Sequence, residues 1–404
     1  MVKNTICIEC LKDINLKRYV NKTGVEGQCS NCGNKKGLIV QIADKEFQNR
    51  FKAAIRYHYS EMLYNPHWGG YYNWIYLLTE ENEILTEPLK ESENEDDIFW
   101  EIEKIEGHVD DFAKDVSLYF GEARLDAFFD PIVRATWDWL FQLKGHISYI
   151  NPQEIAKKIV EKCEDMIKDL ERKEKNISLF RARLGVKDIL HYAELGDEPE
   201  DVYIPYKKGE IGAPPAETAS EGRFNRAGTS YLYLASTRDT AIKEIRPNVG
   251  HDVSIGEFFI KGEINIVDFT VLDFYDYATS DDKIDNYIKL RAIEKVISLP
   301  NPEKKYRLTQ GFADAFYSLG YDGVKFNSSV SDGTYNLVLF KKEMAIYKKK
   351  SKEAFHISGM EYKVEEVKKD IDPKKADMYW TENRNEKKLL SEEFGIDIDE
   401  LRGY

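Results

Sequence analysis

Long apolar runs are missing from this 404-residue chain, and no stretch approaches the about 20 apolar residues that a membrane span requires. The opening residues, MVKNTICIEC, have no secretory pattern. Together these absences point to a cytoplasmic protein without a membrane partner. Glycine-rich phosphate loops are missing as well. Without a GxGxxG on a strand–helix turn or a GxxxxGK[ST], neither Rossmann-type dinucleotide binding nor P-loop NTP hydrolysis has support. The 7 histidines lack zinc-protease spacing, and no serine sits in a GxSxG turn. A basic surplus is also absent: 58 Lys and Arg against 72 Asp and Glu leave a net charge of −14. That balance argues against non-specific binding of nucleic acid or anionic membrane by the whole chain.

Cysteine is scarce but informatively placed. Cys7-x-x-Cys10 and Cys29-x-x-Cys32 form two short knuckles, the second followed by Gly33. In a reducing compartment such pairs are metal ligands rather than disulfides. Four thiolates make a closed tetrahedral site, so the expected ion is a structural Zn2+. The spacing resembles zinc ribbons generally, which leaves nucleic-acid binding by residues 1–43 open. The fifth, Cys163, falls in a helical pattern and reads as buried and inert.

Periodicity divides the rest of the chain. Residues 44–175 read as helices, with Phe47, Phe51, Ala54 and Ile55 on one side of the first. Residues 77–97 read as an acidic loop poor in packing residues. Asn151-Pro152 is a helix start, and that helix is expected to run toward Lys175. From 176 to about 342 short strands alternate with helices, which predicts a mixed α+β domain. Residues 343–404 are rich in lysine and glutamate and read as a helical or disordered extension.

The most organised stretch is Glu221–Pro247. A turn-rich loop, Gly222-Arg223-Phe224-Asn225, leads into an alternating strand at Tyr231–Ala235. Ser236 with Asp239 fits a capping box, so a helix is expected there, carrying Glu244 near its end.

Three ordered segments resemble the RES domain family: FRARLG at 180–185; IGAPP at 211–215 with GRFN, YLYLAS and AIKEIRP after it; and YDGVKFNSS at 321–329 with NLVLF at 336–340. The helical stretch before them resembles the HEPN-like domain found ahead of some RES domains. Its nuclease motif is not met, because Arg50 and Arg56 stand at the wrong spacing from His58, and Arg50 and His58 read as solvated helix residues. The implied architecture is multidomain α+β: a zinc ribbon (1–43), an all-helical bundle (44–175), an ADP-ribosyltransferase-like RES domain (176–342) and a charged extension (343–404).

The resemblance implies an enzyme that consumes NAD+ by cleaving the nicotinamide–ribose bond, as a glycohydrolase or phosphorylase in a toxin or defence setting. It further implies an inhibitor, antitoxin or trigger acting through the N-terminal domains, with homo-oligomerisation left open. Carried over by position, the catalytic residues are Glu244, Arg181 and Ser328, with Ser329 a neighbouring alternative. The substrate-binding residues are Arg181, Arg223, Tyr233 and Ser328. Ala182 departs from the aromatic that some members carry after the first arginine. The residue types suit the chemistry. Guanidinium groups clamp a diphosphate, and a carboxylate beside the ribose stabilises the cation that forms as nicotinamide leaves. Nicotinamide departs from a cationic state, so a second carboxylate acting as acid is not needed. Two alternatives remain at this stage: ADP-ribosyl transfer to a macromolecule, and a non-enzymatic module that binds protein or nucleic acid.

Overall fold

The computed structural model describes residues 4–58, 78–79, 84–89, 98–106, 152–192, 200–298, 306–361 and 364. The chain divides into two compact units. One comprises Met1–Gln142 with Leu272–Ala292, and the other Leu143–Val271 with Ile293–Tyr404. No helix among the described residues is long and apolar enough to cross a membrane.

The first unit opens with β1 (Thr5–Cys7), α1 (Ile14–Thr23), β2 (Val25–Gly27) and β3 (Gly37–Gln41), the strands forming a sheet in the order β1-β3-β2. Asp13 caps α1 by accepting from the Asn15 and Leu16 amides at 2.9 and 2.8 Å. Helices α2 (Lys45–His58) and α3 (Ile98–Glu106) follow. Phe47, Phe51, Ala54 and Ile55 of α2 are buried against Leu16, Val20 and Ile6, as their helical spacing predicts. The acidic loop contributes more than its composition indicates. Leu78, Ile84 and Leu85 are buried in this core, and Leu85 bridges Leu11. A few well-placed apolar residues suffice where the charged majority faces water. Of the rest of the expected bundle, residues 152–175 belong to the second unit instead, with helices over 152–169, and the remainder lies outside the described residues.

Segment Leu272–Ala292 completes the unit. Tyr275 enters the core of α1 and α2, while Phe274, Ala278 and Tyr287 pack on Ala53 and Tyr57. Arg50 is buried rather than solvated. It donates to the Tyr275 carbonyl at 2.7 Å, pairs with Glu46 at 2.8 Å and lies 4.0 Å from the Tyr275 ring centre. A tertiary partner 225 residues away, which α2 alone does not reveal, accounts for this burial. The His58 side chain lies outside the described residues.

The second unit carries α4 (Pro152–Lys162), α5 (Glu164–Asp169), β4 (Glu171–Lys175), β5 (Ser178–Leu184), β6 (Asp188–Tyr192), β7 (Glu200–Ile204), β8 (Leu232–Ala235), α6 (Arg238–Glu244), β9 (Asp252–Ile260) and β10 (Glu263–Asp268). Helix α7 (Phe274–Tyr277) and the part of α8 (Asp281–Ser298) up to Ala292 belong to the first unit; the second resumes at Ile293 and continues with α9 (Arg307–Ser318), β11 (Gly323–Asn327), β12 (Tyr335–Leu339), β13 (Ala345–Tyr347) and β14 (Glu353–His356). The main sheet has nine strands in the order β13-β9-β5-β8-β12-β11-β10-β4, with β14 also on β9. Only β10 and β11 pair in parallel among the described strands.

Two differences from the sequence reading have physical causes. The expected helix 151–175 ends earlier, and residues 171–175 become an edge strand paired with β10. The cause lies far away in sequence: buried Lys325 reaches Glu174 at 2.9 Å and Asp268 at 3.0 Å, so the charged tail of the helix is drawn into a buried ion cluster. Likewise, β13 and β14 extend the sheet where a charged extension is expected, because β9 offers them an open edge. The hairpin β6–β7 stands as its own two-stranded sheet, with Leu190 and Tyr192 exposed.

Candidate functional site

β8 and β5 share a single registered pair, Phe180 with Ala235. Arg181 is the next residue on β5. It donates from Nη1 to the Tyr233 carbonyl at 3.2 Å, and its buried Nε has no partner. No carboxylate among the described residues pairs with it. Burial lowers its pKa to about 10, partly offset by Tyr233. An incompletely satisfied guanidinium at a strand junction is suited to receiving an anion.

Across β8, Tyr233 holds the loop before it. Its hydroxyl donates to Asn225 Oδ1 at 2.8 Å and accepts from the Phe224 amide at 3.0 Å. Burial raises its pKa, so it stays neutral. Buried Asn225 donates to the carbonyls of Ser220, Arg226 and Thr229. Gly222 is required at this point, since a Cβ there would lie 2.5 Å from Asn225 Oδ1 and 3.1 Å from the Tyr233 oxygen. Gln310 on α9 ties the loop down from outside, donating to Glu221 at 2.9 Å. In consequence Tyr233 has its polar end committed to the loop.

The clamped loop presents Arg223. Its Nη1 donates to the Ile297 and Ser298 carbonyls at 3.3 and 3.1 Å, in the last described turn of α8. Burial lowers its pKa, while the nearby Glu244 charge opposes that.

Glu244 comes from α6. The helix is capped by Thr237, which accepts from the Thr240 amide at 3.1 Å. The expected cap, Ser236, instead accepts from the Tyr335 amide at 3.0 Å; pairing between β8 and β12 takes it out of the helix start. Ala241 is buried against Ala182, Ala235, Val253 and Ile255, which holds α6 on the sheet. The small Ala182 side chain is thereby fully used in packing. At the far end of the helix, Glu244 Oε1 accepts from Ser328 Oγ at 2.9 Å and from Asn336 Nδ2 at 2.6 Å. Among the described residues Oε2 accepts nothing. The carboxylate is thus fixed through one oxygen and has the other available. Asn336 carries no sequence signal beyond its place in a strand, and only the pairing of β12 with β8 brings it under α6. Ser328 meets Glu244 directly, and exposed Ser329 shows no such contact.

The four cysteines of the first unit also converge. The sulfurs of Cys7, Cys10, Cys29 and Cys32 all lie within 4.8 Å of one another. Three separations, Cys7–Cys10, Cys7–Cys32 and Cys10–Cys29, are 3.6, 3.6 and 3.7 Å. Tetrahedral thiolates at Zn–S bonds of about 2.3 Å would stand about 3.8 Å apart. The donor set and its spacing therefore fit zinc.

Residues 204–358 match the family model described as the RES domain. The matched range includes Arg223, Tyr233, Glu244, Ser328 and Asn336, and runs through β13 and β14; Arg181 precedes it. A chain in the crystal structure of the M. tuberculosis MbcT–MbcA toxin–antitoxin complex is similar with a TM-score of 0.30 and 11% identity, covering 50% of this chain and 95% of that one. No curated protein matches the sequence.

Proposed function

We propose that the second unit is an NAD+-consuming enzyme that cleaves the nicotinamide–ribose bond. The observation that carries this reading is the Glu244 carboxylate, fixed by Ser328 and Asn336 beside Arg223 within the RES-domain match. In this reading Oε2 of Glu244 faces the ribose of the substrate. As the carbon–nitrogen bond lengthens, positive charge grows on the ribose, and a carboxylate already held in place stabilises it without reorganising. The bonding pair leaves with nicotinamide, which becomes neutral. Ser328 and Asn336 keep the carboxylate from rotating away, and Arg181, with donors to spare, binds a phosphate of NAD+. The acceptor of the ADP-ribosyl group is water or phosphate.

The four-cysteine cluster is proposed to hold one structural zinc ion. All four positions are filled by sulfur, so the ion has no place for substrate, and it would tie β1 to the knuckle after β2. The setting proposed is a toxin or defence effector whose NAD+ depletion is restrained by an inhibitor or released by a trigger.

The test is NAD+ turnover by the purified full-length chain, following nicotinamide and ADP-ribose with and without phosphate. Nicotinamide released with one equivalent of ADP-ribose or its phosphate is the expected result. ADP-ribose found on protein instead would move the reading to transfer onto a macromolecule. Intact NAD+ after prolonged incubation with the full-length chain, with and without phosphate, would overturn the proposal.

A further inference from the structure

The cations around the site are unequally engaged. On α6, Arg238 pairs with Glu353 at 2.8 Å and lies over the Phe180 ring, while Lys243 pairs with Asp239 at 2.7 Å. Arg223 is bonded to the end of α8, and Arg181 to Tyr233. Arg246, two residues beyond Glu244, differs from all of these. It is exposed, and its guanidinium has no hydrogen bond, ion pair or ring contact among the described residues.

Its backbone is unusual too. Arg246 has a φ of 48°, in the left-handed region that glycine or asparagine normally supplies just after a helix. Pro247 follows, and a residue before proline favours an extended conformation. The Arg246 amide closes the helix on the Lys243 carbonyl at 3.1 Å, a bond that glycine would make with less strain. Complementing the helix dipole does not call for an arginine here, because Lys243 already lies in the last turn. The chain therefore carries a strained arginine at the edge of the site, without a partner for its guanidinium among the described residues. Arg246 is also close enough to Arg223 for the two charges to disfavour each other, a repulsion that an anion between them would relieve.

We propose that Arg246 is a phosphoryl-binding residue of the Glu244 site, taking either the diphosphate of the substrate or a free phosphate that attacks the ribose. The planar guanidinium fork matches phosphoryl oxygens in two-point contact. In the attacking case, an oxygen of hydrogen phosphate bonds to the ribose carbon as the bond to nicotinamide breaks. The bonding pair leaves with nicotinamide and the proton of the phosphate passes to solvent. This inference rests on the reading of Glu244 as part of an NAD+-cleaving site.

The test is R246G in the full-length chain, because glycine removes the guanidinium while relaxing the backbone. Its Tm is expected to equal or exceed that of wild type. Calorimetric titration with ADP-ribose and, separately, with inorganic phosphate is expected to show binding weakened about tenfold or more for one of them. Loss confined to ADP-ribose assigns Arg246 to the substrate diphosphate, and loss confined to phosphate assigns it to the acceptor. R246K, which keeps the charge without the fork, should fall in between. Equal binding of both ligands by wild type and R246G overturns the proposal, as does failure of wild type to bind either at low millimolar concentration. NAD+ turnover tests the parent reading separately: Arg246-dependent binding without turnover would leave this residue's role standing and remove the NAD+-cleaving reading.

Discussion

Ser328 Oγ donates to Glu244 Oε1 at 2.9 Å across 84 residues of sequence. A loop between two strands and the last residue of a short helix thereby become one unit. Asn336 adds a second donor to the same oxygen, so the orientation of the carboxylate depends on three elements at once.

Glu244→Gln is expected to lower NAD+ turnover about a hundredfold or more, since the amide removes the negative charge but keeps the shape. Asn336→Ala is expected to lower kcat about tenfold with little change in KM, by letting the carboxylate swing. Steady-state kinetics with a circular-dichroism check on folding decides both. Near-wild-type turnover by Glu244→Gln would remove this residue from the mechanism.

Tyr233→Phe removes the hydroxyl that joins Asn225 to the Phe224 amide. The expected cost is about 1–2 kcal/mol of stability, from buried partners left unsatisfied. Gly222→Ala forces a Cβ against Asn225 and should cost about 1–3 kcal/mol. Denaturant midpoints measure both, and unchanged midpoints would show that the loop tolerates release.

Lys325 is buried between Glu174 and Asp268. Burial alone would lower its pKa, but the hydrogen bonds to the two carboxylates outweigh it and the pKa is raised above the ordinary 10.5. A cation with a raised folded pKa contributes its stabilisation fully below the unfolded pKa. That contribution is lost as pH rises through the folded value. Wild type should therefore lose stability above about pH 10.5 through this group. Lys325→Met, which leaves two carboxylates without their cation, is expected to cost about 3–5 kcal/mol near neutrality and to lack that alkaline loss. Thermal melts from pH 7 to 11 provide the comparison.

Zinc content should be one ion per chain by elemental analysis. Cys29→Ser should remove it and increase hydrogen exchange in β1–β3, because an ion tied to four thiolates contributes directly to folding. Metal-free protein with unchanged protection in β1–β3 would show that the cysteines serve packing alone.

The cysteine knuckles were legible because a metal site demands fixed residue types at short spacing, and the structure brings those four sulfurs together. Helix α2 was legible because burial of one face imposes a helical period, and strands β5, β8, β11 and β12 because short runs rich in apolar and aromatic residues are bounded by turn residues. The charged segment 171–175 reads as helix by local pattern, whereas its strand pairs with β10 and its Glu174 meets Lys325 more than a hundred residues away.

Local sequence thus determined which segments are helices and strands wherever a single buried face sets the pattern, and it placed the candidate arginines and Glu244 on particular elements. Only the tertiary structure decided that Asn336 and Ser328 converge on Glu244, that Arg223 lies at the end of α8, and that Arg246 has no side-chain partner among the described residues. Contacts between elements depend on sheet order and register. Those follow from the free energy of the whole packed core, which no short window of sequence contains.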